Sequence, residues 1–277
     1  MMSLRNYYKR AYKEKVRRLN EKNSPVIQWY YRLFWKPKNP SIPFLFDRYS
    51  KQHAEVFFIQ IGANDGMEHD PLLKFIRRDG WKGLLIEPQK DVFSQLQKLH
   101  RHTPEVILEN AAVSKTNETR ELYHLSFSQS RWASGLSSFI RTSLEAQIES
   151  GYVEACAQKE GVSLPADKKD YIASTPVNCH TLDFLKEKHH LPNINLLQID
   201  AEGYDYEIIK MVNFDKIYPD LISFESGHLS AEDWKACEEL LHAKDYQIYV
   251  KGRDAIAIKS GCLDLEDFSG TLSPAKQ

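Results

Sequence analysis

From residue 55 onward the chain alternates short apolar runs with segments of helical period, and that alternation admits little other than a sheet covered by helices on both faces. Residues 56–61 are continuously apolar apart from Gln60 and end at a glycine, the pattern of a parallel strand buried on both sides. Asp70 and Pro71 then suit the N-cap and first turn of a helix carrying Leu72, Phe75 and Ile76 on one face. Residues 83–87 form a second strand, Val92, Phe93, Leu96 and Leu99 mark a second helix, and residues 106–110 form a third strand. Three strands joined by helices require right-handed crossovers, so the fold class is α/β with a doubly wound, mostly parallel sheet.

The regularity then lapses. Residues 121–127 add one more strand, and residues 128–176 read as an insertion. The insertion contains the polar stretch 131–138 and one helix with Leu144, Ile148, Tyr152 and Cys156 at every fourth position. A long excursion from a sheet builds a lid or an acceptor wall, or is purely structural. The alternation resumes at Thr181, a cap for a helix reaching about Lys188. Residues 194–200 are a fourth strand, Ile208, Ile209 and Val212 belong to a helix, and residues 221–225 are a fifth strand. Ser230 and Asp233 open a helix containing Trp234, Cys237, Leu240 and Leu241. Residues 246–250 and 255–259 form a closing antiparallel hairpin, and the rest is a tail.

Charge divides the chain. Residues 1–38 hold 11 Lys/Arg against Glu14 and Glu21, a net of +9, whereas the remainder has a net of -10. Leu4, Tyr8, Tyr12, Val16 and Leu19 recur at helical spacing, Asn23, Ser24 and Pro25 interrupt them, and residues 26–35 are strongly aromatic. The organisation is therefore a basic aromatic helical arm over 1–50, a main domain over 51–260 and a tail over 261–277. Two readings of the arm stand: peripheral contact with a membrane through residues 1–38, or packing on the body or in a homo-oligomer contact. Cys156, Cys179, Cys237 and Cys262 form no paired motif, and neither a leader peptide nor a spanning segment is recognisable. A cytoplasmic protein, located at most at the inner face of a membrane, is expected.

Ligands of doubly wound sheets bind beyond the carboxyl ends of the strands. Three polar features occupy such ends: the loop Gly62-Ala63-Asn64-Asp65-Gly66, Glu87, and Asp200-Ala201-Glu202-Gly203. Glycines let the loop backbone approach a ligand, its free N–H groups can receive a carboxylate, and Glu87 can accept both hydroxyls of a ribose. The loop lacks the dinucleotide glycine pattern and a phosphate-binding lysine. A ligand with an amino-acid end, a ribose and an adenine fits these positions better than a pyrophosphate.

Residues 58–66, 80–88, 110–114 and 197–203 together resemble the FkbM-type family of class I S-adenosylmethionine-dependent methyltransferases, over about residues 55–226. The resemblance implies a seven-stranded Rossmann-like sheet. It also implies that Gly62, Asn64, Asp65 and Gly66 hold the methionine portion of S-adenosylmethionine, that Glu87 holds the ribose, and that Asn110 and Ala111 border the adenine. Gln60 departs from the family, which often has an acidic residue there. Members often methylate sugar hydroxyls, so the expected function is an O-methyltransferase acting on a carbohydrate or another small-molecule acceptor, with no nucleic acid partner. The rival readings are a nucleotide-dependent oxidoreductase and a non-catalytic module on the same sheet.

Methyl transfer to a hydroxyl requires alignment and a base within hydrogen-bond reach. Asp200 is the first candidate, because the fourth-strand end faces the transferred methyl group in this fold and also borders the cofactor. His228 and His69 follow. No metal is expected; a divalent cation, if used, would take Asp200, Glu202 and Glu225 as hard-oxygen ligands.

Overall fold

The computed structural model describes residues 4–264 and 273–274. Three helices come first: α1 (Leu4–Glu21), α2 (Pro25–Leu33) and α3 (Ile42–Gln52). Ser24 and Ser41 cap α2 and α3 by accepting hydrogen bonds from the N–H groups of Val26 and Phe44. The wound part follows as β1 (Phe57–Ile61), α4 (Leu73–Asp79), β2 (Lys82–Ile86), α5 (Lys90–His100), β3 (Val106–Glu109) and β4 (Ala112–Val113). Next are β5 (Glu118–Leu125), α6 (Arg131–Ser134), α7 (Arg141–Glu149), α8 (Tyr152–Glu160) and β6 (Ile172–His180). The chain then returns through α9 (Leu182–Lys188), β7 (Leu196–Ile199), α10 (Asp205–Met211), β8 (Leu221–Glu225), α11 (Ala231–His242), β9 (Tyr246–Lys251), β10 (Asp254–Lys259) and β11 (Ser273–Pro274).

The main sheet has the order β11-β9-β10-β8-β7-β1-β2-β3. Strands β3, β2, β1, β7 and β8 are mutually parallel, and β10 inserts antiparallel between β8 and β9. Seven strands thus form the expected mostly parallel sheet with its antiparallel C-terminal hairpin, and the two-residue β11 extends its edge. Of the expected tail, Leu263 is buried and β11 pairs with β9, while residues 265–272 and 275–277 lie outside the described residues. One sheet face is packed by Ile59, Leu84, Leu197, Ile222 and Leu241, and the other by Leu45, Phe46, Phe58, Phe75 and Leu85. Helix α3, which spans residue 50, therefore contributes Leu45, Phe46 and Tyr49 to the core of the body.

The helix caps are partly displaced from the positions expected. Thr181 caps α9 as expected, but Asp70 accepts from the N–H groups of Leu72 and Leu73 at 2.8 and 2.6 Å, so α4 starts later. The single helix expected over Leu144–Cys156 is two helices. Gly151, at φ +79°, breaks it, and Val153 and Ala157 replace Tyr152 and Cys156 as the buried positions of α8. An unforeseen strand straddles the end of the insertion: β6 pairs antiparallel with β5 and parallel with β4, making a second, three-stranded sheet.

The arm lies on the body. Buried Arg77 donates from Nη2 to the carbonyls of Asn20 and Leu99 at 3.1 and 3.0 Å, and from Nη1 to Thr103 Oγ1 at 2.6 Å. Its guanidinium thus ties the end of α1, where Asn20 O also accepts from the N–H of Asn23 at 2.9 Å, to the end of α5. Among the described residues no helix is long and apolar enough to cross a membrane.

Candidate active site

Strand β1 ends in a turn that only glycine permits. Gly62 has φ +78°, and a Cβ there would stand 1.8 Å from the carbonyl oxygen of Asp200. The ends of β1 and β7 touch at this point. The loop N–H groups are not free, contrary to expectation: those of Gly62 and Ala63 both donate to Ile86 O at 3.0 Å, and that of Asn64 donates to Glu87 Oε2 at 2.9 Å. The loop folds back on the neighbouring end of β2, which consumes its donors.

The side chains of the loop divide. Asn64 lines a cleft and donates to Ser134 Oγ at 3.2 Å. Asp65 stands behind the loop instead. Its Oδ1 accepts from the N–H groups of Met67 and Glu68, and its Oδ2 pairs with Arg17 of α1 at 2.6 Å. Gly66 faces Leu96 and Leu99, where a Cβ would clash. Asp65 and Gly66 thus shape the loop without lining the cleft.

Glu87, at the end of β2, is 2% exposed and accepts from the N–H groups of Asn64 and Gln89, each at 2.9 Å. Burial pushes its carboxyl up to about 7 despite those donors. Asn110 turns its amide to the carbonyls of Glu87 and Pro88, whereas Ala111 lines the cleft. Ile86, Val113, Leu122 and Phe139 make the rest of that end apolar. The insertion forms the roof: Gln89 Nε2 donates to Ser134 O, and Ser137 Oγ donates to Gln89 Oε1, both at 3.0 Å. A cavity of about 80 Å³ lies beneath it.

A wider, polar cleft adjoins the first, and Arg131, Gly135, Asp200 and Glu202 line both. Gln60, Gln198 and Ser223 sit in register on β1, β7 and β8 and are all buried, a polar row where a parallel sheet is ordinarily apolar. Gln198 and Ser223 reach the wider cleft; Gln60 Nε2 donates instead to Asp70 Oδ2 at 2.9 Å. The Oε1 atoms of both glutamines have no hydrogen-bond partner among the described residues. His69, at φ +61°, is exposed at the mouth of this cleft.

The carboxylates at the junction are held in unusual protonation balance. Burial raises Asp200 above the ordinary aspartate range, while the charge of Arg131 opposes the shift. Glu202 is pushed up to about 8, by burial first and then by Asp200 and Glu225. Asp205 is completely buried and joins the ends of β7 and β8 by accepting from the N–H groups of Ala201 and Glu225; burial pushes it up to about 7.

His228 is exposed and lies 3.2 Å from Glu225 and 3.9 Å from Glu202. Among the described residues these three, rather than Asp200, Glu202 and Glu225, are the group whose ligand atoms come within 4.8 Å of one another. Arg253 already brings positive charge there, with Nε 2.9 Å from Glu225 and Nη2 2.7 Å from His228 Nε2.

Arg131, Gln89 and Gln198 join the site without having been expected from the sequence. Gln198 was visible as a polar residue interrupting an apolar strand; Arg131, in an irregular stretch, had no such signal.

The profile of the methyltransferase FkbM domain matches residues 60–248. A comparison with curated proteins returned no significant match. Among solved structures, the methyltransferase FkbM of Methylobacillus flagellatus KT is similar at 11% identity and TM-score 0.46, over 78% of this chain. The chain spans 50% of that protein's length. The O-methyltransferase of Bacillus cereus, solved in complex with SAH, is similar at 10% identity and TM-score 0.41, over 87% of this chain and 90% of the other.

Proposed function

The chain belongs to the FkbM methyltransferase family, and we propose that its joined clefts receive a methyl donor and an acceptor and that it methylates a hydroxyl of a carbohydrate-like acceptor using S-adenosylmethionine. The observation that carries this reading is the junction: Asp200 borders both an amphipathic cleft and a polar one.

The residues of the first cleft suit the donor. The buried carboxylate of Glu87 is placed to accept ribose hydroxyls, and Ile86, Ala111 and Phe139 offer an apolar slot for a flat base. Arg131 is the one lysine or arginine in that lining, and its buried Nε has no partner among the described residues. We assign it, with Gly62 and Asn64, to the amino-acid end, where a carboxylate would satisfy that donor. When bound, S-adenosylmethionine supplies an electrophilic methyl group.

The remaining steps belong to the protein. The polar floor at Gln198 and Ser223 orients a hydroxyl-rich acceptor by hydrogen bonds, which apolar ligands would leave unmade. Asp200 is the group that would take the proton of the acceptor hydroxyl, and its raised affinity for protons makes it a stronger base than a solvated carboxylate. His228 is less suited, because Arg253 donates to its ring nitrogen, and His69 stands at the cleft mouth in solvent. The contacts of Asn64 and Gln89 with Ser134 hold the roof over this cleft, which would limit the water around the donor.

Calorimetry with S-adenosylmethionine and with NAD, followed by transfer of a labelled methyl group to sugar and polyol acceptors, tests the proposal. Binding of NAD in place of S-adenosylmethionine would overturn the donor, and binding without transfer to any hydroxylated acceptor would overturn the acceptor class.

A further inference from the structure

Helix α2 carries two apolar stripes, and the body covers only one. Ile27 and Tyr31 are buried against it, and Trp35, just beyond the helix, meets Phe75 edge-on at 5.1 Å. The opposite stripe holds Val26 (63% exposed), Trp29 (58%), Tyr30 (44%), Leu33 (53%) and Phe34 (62%). Their spacing of three or four residues puts them on one face of the helix. Their rings already touch, Trp29 with Phe34 at 5.5 Å and Tyr30 with Phe34 at 5.8 Å. A contiguous exposed cluster of this kind marks an interaction surface rather than a random scatter of apolar residues.

The surroundings identify the partner. Lys22, Arg32, Lys36 and Lys38, which flank the stripe in the chain, are all exposed. Residues 1–38 carry +9 while the rest of the chain carries -10. A two-fold contact between copies through this face would press one basic arm against another, which like charges disfavour. Trp and Tyr rings framed by Lys and Arg instead match the boundary of an anionic lipid surface, where rings settle among headgroups and cations meet phosphates. The acidic body is repelled by the same surface, so only the arm is drawn to it.

We propose that α2 docks the protein on anionic membranes through Trp29, Phe34 and their neighbours, with the flanking lysines supplying attraction. The proposal is independent of the methyl-transfer reading.

The test is flotation of the full chain with phosphatidylcholine vesicles, with and without phosphatidylglycerol, at low and high salt. The expected result is recovery with the anionic vesicles that falls as salt rises. The double substitution Trp29→Ser/Phe34→Ser should weaken partition by about tenfold or more, from the lost burial of two large rings. Both side chains are exposed, so the melting temperature and cofactor affinity should remain those of the parent. Charge reversal at Lys36→Glu/Lys38→Glu provides a second variant that leaves the rings intact and should also weaken binding. Equal recovery with neutral and anionic vesicles, or unchanged binding of both variants, would overturn the proposal. So would light scattering that shows a dimer dissociated by the double substitution, since a second copy would then cover this face.

Discussion

The two clefts that meet at Asp200 differ in what builds them. The first cleft, proposed for the donor, gathers Gly62, Glu87 and Ala111 from the ends of neighbouring parallel strands beneath a roof from the insertion. The wider cleft has a floor from β7 and β8, with Gln198 and Ser223, and adds Lys13 of the arm, Asp70 beyond the glycine loop, Trp132 and Tyr152 of the insertion and Arg253 of the C-terminal hairpin. Strand ends hold their geometry by the ladder of backbone hydrogen bonds, whereas residues on loops and added helices are held by local contacts. The lining of the wider cleft therefore depends more on segments outside the sheet than that of the first.

Substitutions at the shared residues can break that division. The largest effect is expected from Asp200→Asn, which removes the proposed base while keeping nearly the same shape. Its turnover should fall by about 10²–10⁴-fold with donor affinity nearly unchanged, measured by single-turnover kinetics and calorimetry. Normal turnover would remove Asp200 from the chemistry. Next is Arg131→Met, which should weaken S-adenosylmethionine binding by about 10–100-fold, the range for losing a hydrogen bond to a charged group. A rise in acceptor KM alone would instead move Arg131 to the wider cleft.

The smallest effect is on stability. Glu202 binds its proton more tightly in the folded chain, up to about 8, than in the unfolded one, near the ordinary 4.5. Its contribution is thus complete below the unfolded value and is lost as pH rises through the folded one. The melting temperature should fall as pH is raised from about 5 to about 8, less steeply in Glu202→Gln. Asp70, Glu87 and Asp205 are shifted the same way and should preserve part of the slope. An identical slope in the variant would show that Glu202 titrates normally.

Legibility followed the same line as the clefts. Strands β1, β2, β3, β7 and β8 were readable because continuous apolar runs ending in Gly62, Glu87 and Asp200 suit little besides buried parallel strands. Strand β6 was not: Ser174, Thr175, Pro176 and Asn178 offer no apolar pattern, and proline argues against a central strand. Proline is tolerated there because β4 reaches only Cys179 and His180, leaving β6 open on that side at Pro176. The division between α7 and α8 depended on a left-handed Gly151, which periodicity does not reveal. Within the site, the residues on strand ends could be named in advance. The orientation of Asp65 could not, since its partner Arg17 is 48 positions away in the chain.

That ion pair bears on how the arm can be studied. Arg17 and Asp65 are partly buried together, so α1 works as a rivet through the back of the glycine loop. Deleting the arm would strip Asp65 of its counter-charge in a recessed site, a costly state for a carboxylate. A shortened protein that lost methyl transfer would therefore report damage to the loop as readily as loss of an anchor. The arm has separable parts, the fastening helix α1 and the exposed stripe of α2, and only the stripe can be altered without disturbing the first.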